Sequence, residues 1–171
     1  MLKSAENAVL NINYMFPSCV PATFFEHSGA VLEAKDVETV IDNPKVLGLG
    51  EMMNYPGVVS ASPSIPDKLE TCWKRGKVID GHIPSISGQG LDAYLSTGIK
   101  TDHECETPDE LVEKTGKGMY VLLRQGTVCK NVLQLLPGVN DNNWRRCLFC
   151  TDDRQPQSIL REGHVSYGVN L

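Results

Sequence analysis

Apolar and polar positions change period repeatedly along this chain, from near-alternating or continuous apolar runs to helical spacing and back. Asn7-Ala-Val-Leu-Asn-Ile-Asn-Tyr-Met15 largely alternates, which predicts a strand, and the proline-rich Phe16-Pro-Ser-Cys-Val-Pro-Ala22 ends it in a loop. Leu32 to Ile41 places Leu32, Val37, Val40 and Ile41 on one side of a helix that Asn43-Pro44 should stop. Val46 to Gly50 is a continuous apolar run, the pattern of a strand buried on both faces. Pro66 to Arg75 reads as a helix, with proline in its first turn and basic residues in its last. Lys77 to Asp80 reads as a strand, Leu91 to Ser96 as a helix ended by Gly98, and Ile99 to Thr101 as a short strand. Thr107-Pro-Asp-Glu110 predicts a helix start, with Thr107 as cap, Pro108 in the first helical position and Glu110 closing a capping box; this helix should run to about Gly116. Gly118 to Leu123 (strand), Asn131 to Leu136 (helix), Arg146 to Cys150 (strand) and Gln157 to Glu162 (helix) complete the series.

Six β–α units in alternation imply parallel strands joined by right-handed crossovers. An open doubly wound sheet and a (β/α)8 barrel both satisfy that pattern. The barrel is the better fit because chemically distinctive residues lie at the ends of many strands, whereas an open sheet gathers its ligands at one switch point. A complete barrel has eight units in about 250 residues. The expected fold is therefore a partial (β/α)8 TIM-type barrel of about six units, forming one domain over residues 1–171.

Composition narrows the function. A net charge of −5 is opposite to what a nucleic-acid surface requires, and no apolar run reaches the about 18 residues of a spanning helix. The start, Met1-Leu-Lys-Ser-Ala-Glu-Asn7, lacks the apolar stretch of a secretory signal, so the six cysteines are expected as reduced thiols in a cytoplasmic protein.

The chemistry lies at the strand ends. Val46-Leu-Gly-Leu-Gly-Glu51 ends in a glutamate, Lys77-Val-Ile-Asp-Gly-His82 and Gly98-Ile-Lys-Thr-Asp-His103 in histidines, and Cys147-Leu-Phe-Cys-Thr-Asp-Asp153 in aspartates. Imidazole nitrogen and carboxylate oxygen together suit a divalent transition metal, and a parallel barrel carries strand C-termini to one mouth. Glu51, His82, His103 and Asp152 are thus expected to form one metal site from distant parts of the chain. His27 and His164 fall outside this pattern and are expected at the surface, His164 capping the C-terminus of the last helix. Cys147-Leu-Phe-Cys150 has redox-motif spacing, but in a strand its two thiols point to opposite faces, which predicts core packing. Gly88-Gln-Gly-Leu-Asp-Ala93 imitates a dinucleotide fingerprint but begins too far beyond its strand.

Several longer strings are more specific in combination. Gly48-Leu-Gly-Glu-Met-Met-Asn-Tyr-Pro-Gly-Val58, Asp80-Gly-His-Ile-Pro84, Ser87-Gly-Gln-Gly-Leu-Asp-Ala-Tyr94 and Gly98-Ile-Lys-Thr-Asp-His-Glu104 resemble the adenine deaminase family of the amidohydrolase superfamily. Pro17-Ser-Cys-Val-Pro-Ala-Thr23 and Cys150-Thr-Asp-Asp-Arg154 extend the likeness to nearly the whole chain. The resemblance implies a metal-dependent (β/α)8 hydrolase of purine salvage that converts the small-molecule substrate adenine to hypoxanthine and ammonia, with no nucleic-acid or membrane partner. It implies a binuclear site holding manganese or iron, with zinc also suited. Glu51 would bridge the metals, and His82 and His103 would bind one. Asp152 would bind the other and accept a proton from the attacking water, and Glu104 would contact the purine ring.

One departure bears on this expectation. The family's first barrel strand carries a His-x-His pair, and no His-x-His occurs in this sequence. The chain is accordingly expected to be an internal portion of such a barrel, strands 3 to 8, with weak or no activity alone. Open sheet edges would then invite pairing into a homo-oligomer. A non-catalytic interaction protein and an amidohydrolase acting on a cyclic amide are the alternative functions.

Overall fold

The computed structural model describes residues 2–171, which form two compact units. One runs to Gly81 and takes in Ser96–Ile99, and the other comprises His82–Leu95 and Lys100–Leu171. Each contains a three-stranded sheet, and every strand pairing is parallel. The mixed α/β architecture with parallel strands agrees with the expected portion of a (β/α)8 fold.

In the first unit the sheet order is β1 (Tyr14–Pro17), β2 (Val46–Met52), β3 (Val78–Gly81). Helix α1 (Leu2–Glu6) precedes it, and α2 (Ala34–Glu38), α3 (Tyr55–Val59) and α4 (Ile65–Trp73) fill the connections. The expected strand from Asn7 is corrected to one that starts at Tyr14. A strand needs an edge to pair with, and β2 begins only at Val46, the partner of Tyr14. Val9 and Leu10 accordingly lie exposed despite their alternating context. Pro17, expected in the loop, is the last residue of β1, where proline is tolerated at an edge. The helix predicted from Leu32 is shorter than its apolar pattern, although Val37 and Ile41 are buried as that pattern requires.

Helix α4 buries Ile65, Leu69 and Cys72, one helical face, against the sheet side of its unit. Strand β2 buries Val46, Leu49 and Met52 but exposes Leu47, so the both-face burial expected of it is incomplete. Gly48 is required for a different reason. A Cβ at that position would stand 1.8 Å from the carbonyl oxygen of Val78, its partner across the β2–β3 pairing.

In the second unit the sheet order is β4 (Thr101–Asp102), β5 (Tyr120–Arg124), β6 (Cys147–Cys150). Its helices are α5 (Gly88–Ser96, ending at the unit's limit), α6 (Pro108–Gly116), α7 (Val132–Leu135), α8 (Pro156–Glu162) and α9 (Val165–Val169). Cys105, Leu111, Val121, Leu123, Val132 and Leu135 make its apolar core, with Val139 and Cys147 packed against it. The Cys147-x-x-Cys150 pair is half-buried rather than fully in the core, because β6 is the outer strand of the sheet. Among the described residues all six cysteines are free.

The α6 start follows its sequence signals: Pro108 opens the helix and the Thr107 hydroxyl accepts from the Glu110 N–H at 3.2 Å. The reciprocal half of the capping box does not form. The Glu110 carboxylate instead accepts from the backbone N–H groups of Glu106 and Ser85 and from the Lys114 ammonium. Thr107→Ala is expected to lower unfolding free energy by about 1 kcal/mol, measured by urea denaturation. An unchanged midpoint would mean that this cap contributes nothing.

Candidate functional site

Parallel pairing in the second unit puts the C-terminal ends of its three strands along one edge of the sheet. Strand β4 ends at Asp102, so His103 and Glu104 follow immediately. Strand β5 ends at Arg124, which is in register with Cys150 at the end of β6, two positions before Asp152. His82 opens the same unit, and its backbone N–H donates to the hydroxyl of the buried Tyr94 at 3.2 Å. Four sequence-predicted residues are thereby gathered: His82, His103, Glu104 and Asp152.

The side chains are close. The His82 and His103 rings stand edge to face with centroids 5.3 Å apart. Glu104 Oε1 lies 3.6 Å from His103 Nε2 and 3.9 Å from His82 Nδ1. One donor atom each from His103, Glu104 and Asp152 falls within 4.8 Å of the others. That spacing, with one imidazole and two carboxylates, fits a divalent metal's donor set. Glu104 thus stands among potential ligands, although the resemblance gave it only a role toward substrate. Asp152 has a positive φ of 50°.

Arg124 is the functional residue that the strand-end reading passed over. Its side chain is only 6% exposed, and its guanidinium donates to both Glu104 oxygens and, at 2.9 Å, to Asp152 Oδ2. Burial alone would pull its pKa down, but the two carboxylates hold it above the ordinary arginine value. The signal was present, since Tyr120-Val-Leu-Leu-Arg124 is another apolar strand delivering a polar residue.

Asp102, next to His103 in the chain, belongs to a second buried ion pair. Asp102 and Lys114 are both 0% exposed and joined at 2.8 Å. Burial would raise the Asp102 pKa, yet Lys114 and the Ile83 N–H carry it below the ordinary aspartate value. Burial would likewise lower Lys114, and Asp102 with Glu110 raises it instead.

Glu51 belongs to the first unit, at the C-terminal end of β2, with a positive φ of 38° and an exposed side chain. It lines a cavity of about 360 Å³ with Ser18, Cys19 and Asp80, and its backbone carbonyl accepts from the Ser18 hydroxyl at 2.6 Å. His27 and His164 are exposed. The helix that His164 was expected to cap is α8, whose C-cap residue is Gly163; His164 lies one residue further on, at the N-cap position of α9.

The amidohydrolase family model matches residues 1–153. A protein named adenine deaminase from Nitratidesulfovibrio vulgaris is 49% identical over 171 residues, covering 100% of this chain and 30% of the relative. Another of that name from Clostridium acetobutylicum is 50% identical over 165 residues, 96% of this chain and 29% of its own. One named adenine deaminase 2, from Desulfotalea psychrophila, is 51% identical over 171 residues, again 100% of this chain and 30% of its own. The chain therefore spans about 30% of the length of these curated relatives.

Proposed function

The chain belongs to the amidohydrolase family, and from that premise we propose that it forms part of a divalent-metal site that hydrolyses adenine to hypoxanthine and ammonia. The observation that carries this reading is the meeting of His82, His103, Glu104 and Asp152 at the strand ends of one parallel unit. The names of the similar proteins support the choice of adenine. In this proposal the chain contributes strands 3 to 8 of the barrel as a single domain.

His82 and His103 would hold one metal and Asp152 a second, with Glu51 as the bridging carboxylate. Manganese or iron is proposed, and zinc also suits these donors. A bound divalent metal supplies a water that ionises near neutral pH. Asp152 would take a proton from the attacking water and pass it to the amine on C6 of adenine. The C6–N bond breaks, ammonia departs and the ring keeps the oxygen. Glu104 orients the purine by hydrogen bonding to a ring nitrogen, a task for which its position beside His103 suits it. Arg124 keeps Glu104 and Asp152 in fixed relative orientation and holds part of their charge. Among the described residues no helix is long and apolar enough to cross a membrane, and a cytoplasmic location is proposed. Leu148 and Phe149, exposed on β6, support a second copy of the chain as a partner.

The test is to incubate the purified chain with manganese, iron or zinc, determine retained metal, and assay ammonia release from adenine. Retained metal with slow conversion of adenine is expected, slow because the sequence lacks the His-x-His pair. Turnover of a cyclic amide with adenine untouched would overturn the substrate assignment. Failure to retain any divalent metal would overturn the metal role.

A further inference from the structure

We infer that Lys114 and Asp102 are a positioning pair that sets the separation of His82 and His103, an inference that rests on the metal reading above. The two histidines come from segments that no strand pairing within the second unit ties together, since the sheet there runs only β4, β5, β6. Side chains make the tie instead. Asp102 Oδ1 accepts from the Ile83 N–H at 2.9 Å, and the Lys114 ammonium donates to the Ile83 carbonyl at 2.6 Å. Both backbone polar groups of Ile83 are thus held by one ion pair. His82 precedes Ile83 and His103 follows Asp102, so each ring is a single residue away from the clamp.

The clamp is anchored on α6. Lys114 donates to Asp102 and, one turn back along the helix, to Glu110 at 2.6 Å. Glu110 in turn accepts from the Ser85 N–H at 2.9 Å, which extends the hold on the segment after His82. The lysine lies on the face of α6 that also buries Leu111, a core-facing position that a lysine occupies only when fully satisfied. Its three acceptors use all three ammonium donors. A lysine needed only for packing would be replaceable by methionine. This one ties two chain segments together, through the Ile83 carbonyl and the Asp102 carboxylate.

Groups that orient metal ligands without touching the metal change affinity by about 10–100-fold when removed. The test uses the full chain carrying Asp102→Asn with Lys114→Met, which leaves no unpaired lysine charge and keeps an acceptor for the Ile83 N–H. Two readouts are taken on protein shown to be folded by circular dichroism. The first is the nuclear Overhauser effect between the His82 and His103 ring protons in metal-free, histidine-labelled protein. The second is the affinity for zinc alone by calorimetric titration. The expected result is loss of the ring contact and about 10–100-fold weaker zinc binding. A merely structural pair would lower stability while leaving both readouts at wild-type values, and that result overturns the inference. If the double variant does not fold, Asp102→Asn alone is read in the same way, with about tenfold weaker zinc binding expected and unchanged values again overturning it. Wild-type protein that takes up no zinc would overturn the metal reading by itself, whereas the ring contact still decides whether the pair positions the histidines.

Discussion

Lys114→Met alone is expected to lower unfolding free energy by about 3–5 kcal/mol, because it strands the buried Asp102 carboxylate without its cation. Adding Asp102→Asn to the same chain should recover most of that loss, since a neutral pair of similar size removes the uncompensated charge. Urea denaturation of the wild type and the two variants measures both effects, and equal midpoints for all three would sink the argument. The pair also sets a pH window. The Asp102 pKa is lowered in the folded state, so its contribution is present above the ordinary aspartate value near 4 and lost as pH falls through the folded value. The Lys114 pKa is raised, so its contribution is complete below the ordinary lysine value of about 10.4 and lost only as pH rises through the folded value. The wild type should therefore hold this stability from about pH 5 to about pH 9, and the double variant should show a shallower acid limb.

Arg124→Gln is expected to cost about 2–3 kcal/mol, the usual loss when charge-assisted hydrogen bonds to carboxylates are removed. Glu104 and Asp152 would then face one another without the shared guanidinium. A divalent cation can take over that charge. Added zinc should therefore raise the urea midpoint of Arg124→Gln more than that of the wild type, by up to about 2.7 kcal/mol at 100 times the dissociation constant. Equal stabilisation of both proteins would show that Arg124 and the metal do not share these carboxylates.

Strand ends carried most of the legible information. Val46, Val78, Tyr120 and Cys147 begin strands within two residues of where apolar runs place them, because strand preference is carried by consecutive residues and is local, even where Leu47, Leu148 and Phe149 stay exposed. The Thr107-Pro108 helix start was legible for the same reason, since a cap is satisfied by atoms a few residues away. The Asn7–Tyr14 error has the opposite origin. Alternation describes a surface suited to pairing, but pairing also needs a partner strand, and none reaches that far.

For the candidate site, residue types at strand ends named His82, His103 and Asp152, the family resemblance added Glu104, and Glu51, named from the strand-end rule, lies in the first unit. Asp102 needed the tertiary structure, and so did the partners of Arg124, although its place at a strand end was legible. Asp102 reads in sequence as one more loop carboxylate, and only folding shows it fully buried on Lys114. The alternation of parallel β–α units, the donor types and the strand ends that offer them were thus determined by the sequence alone, since each depends on near neighbours and on burial along one element. Which carboxylate meets which cation was decided by the tertiary structure. Lys114 reaches Ile83 and Arg124 reaches Glu104 across elements far apart in the chain, and periodicity, which records that a side chain is buried, carries no record of its partner.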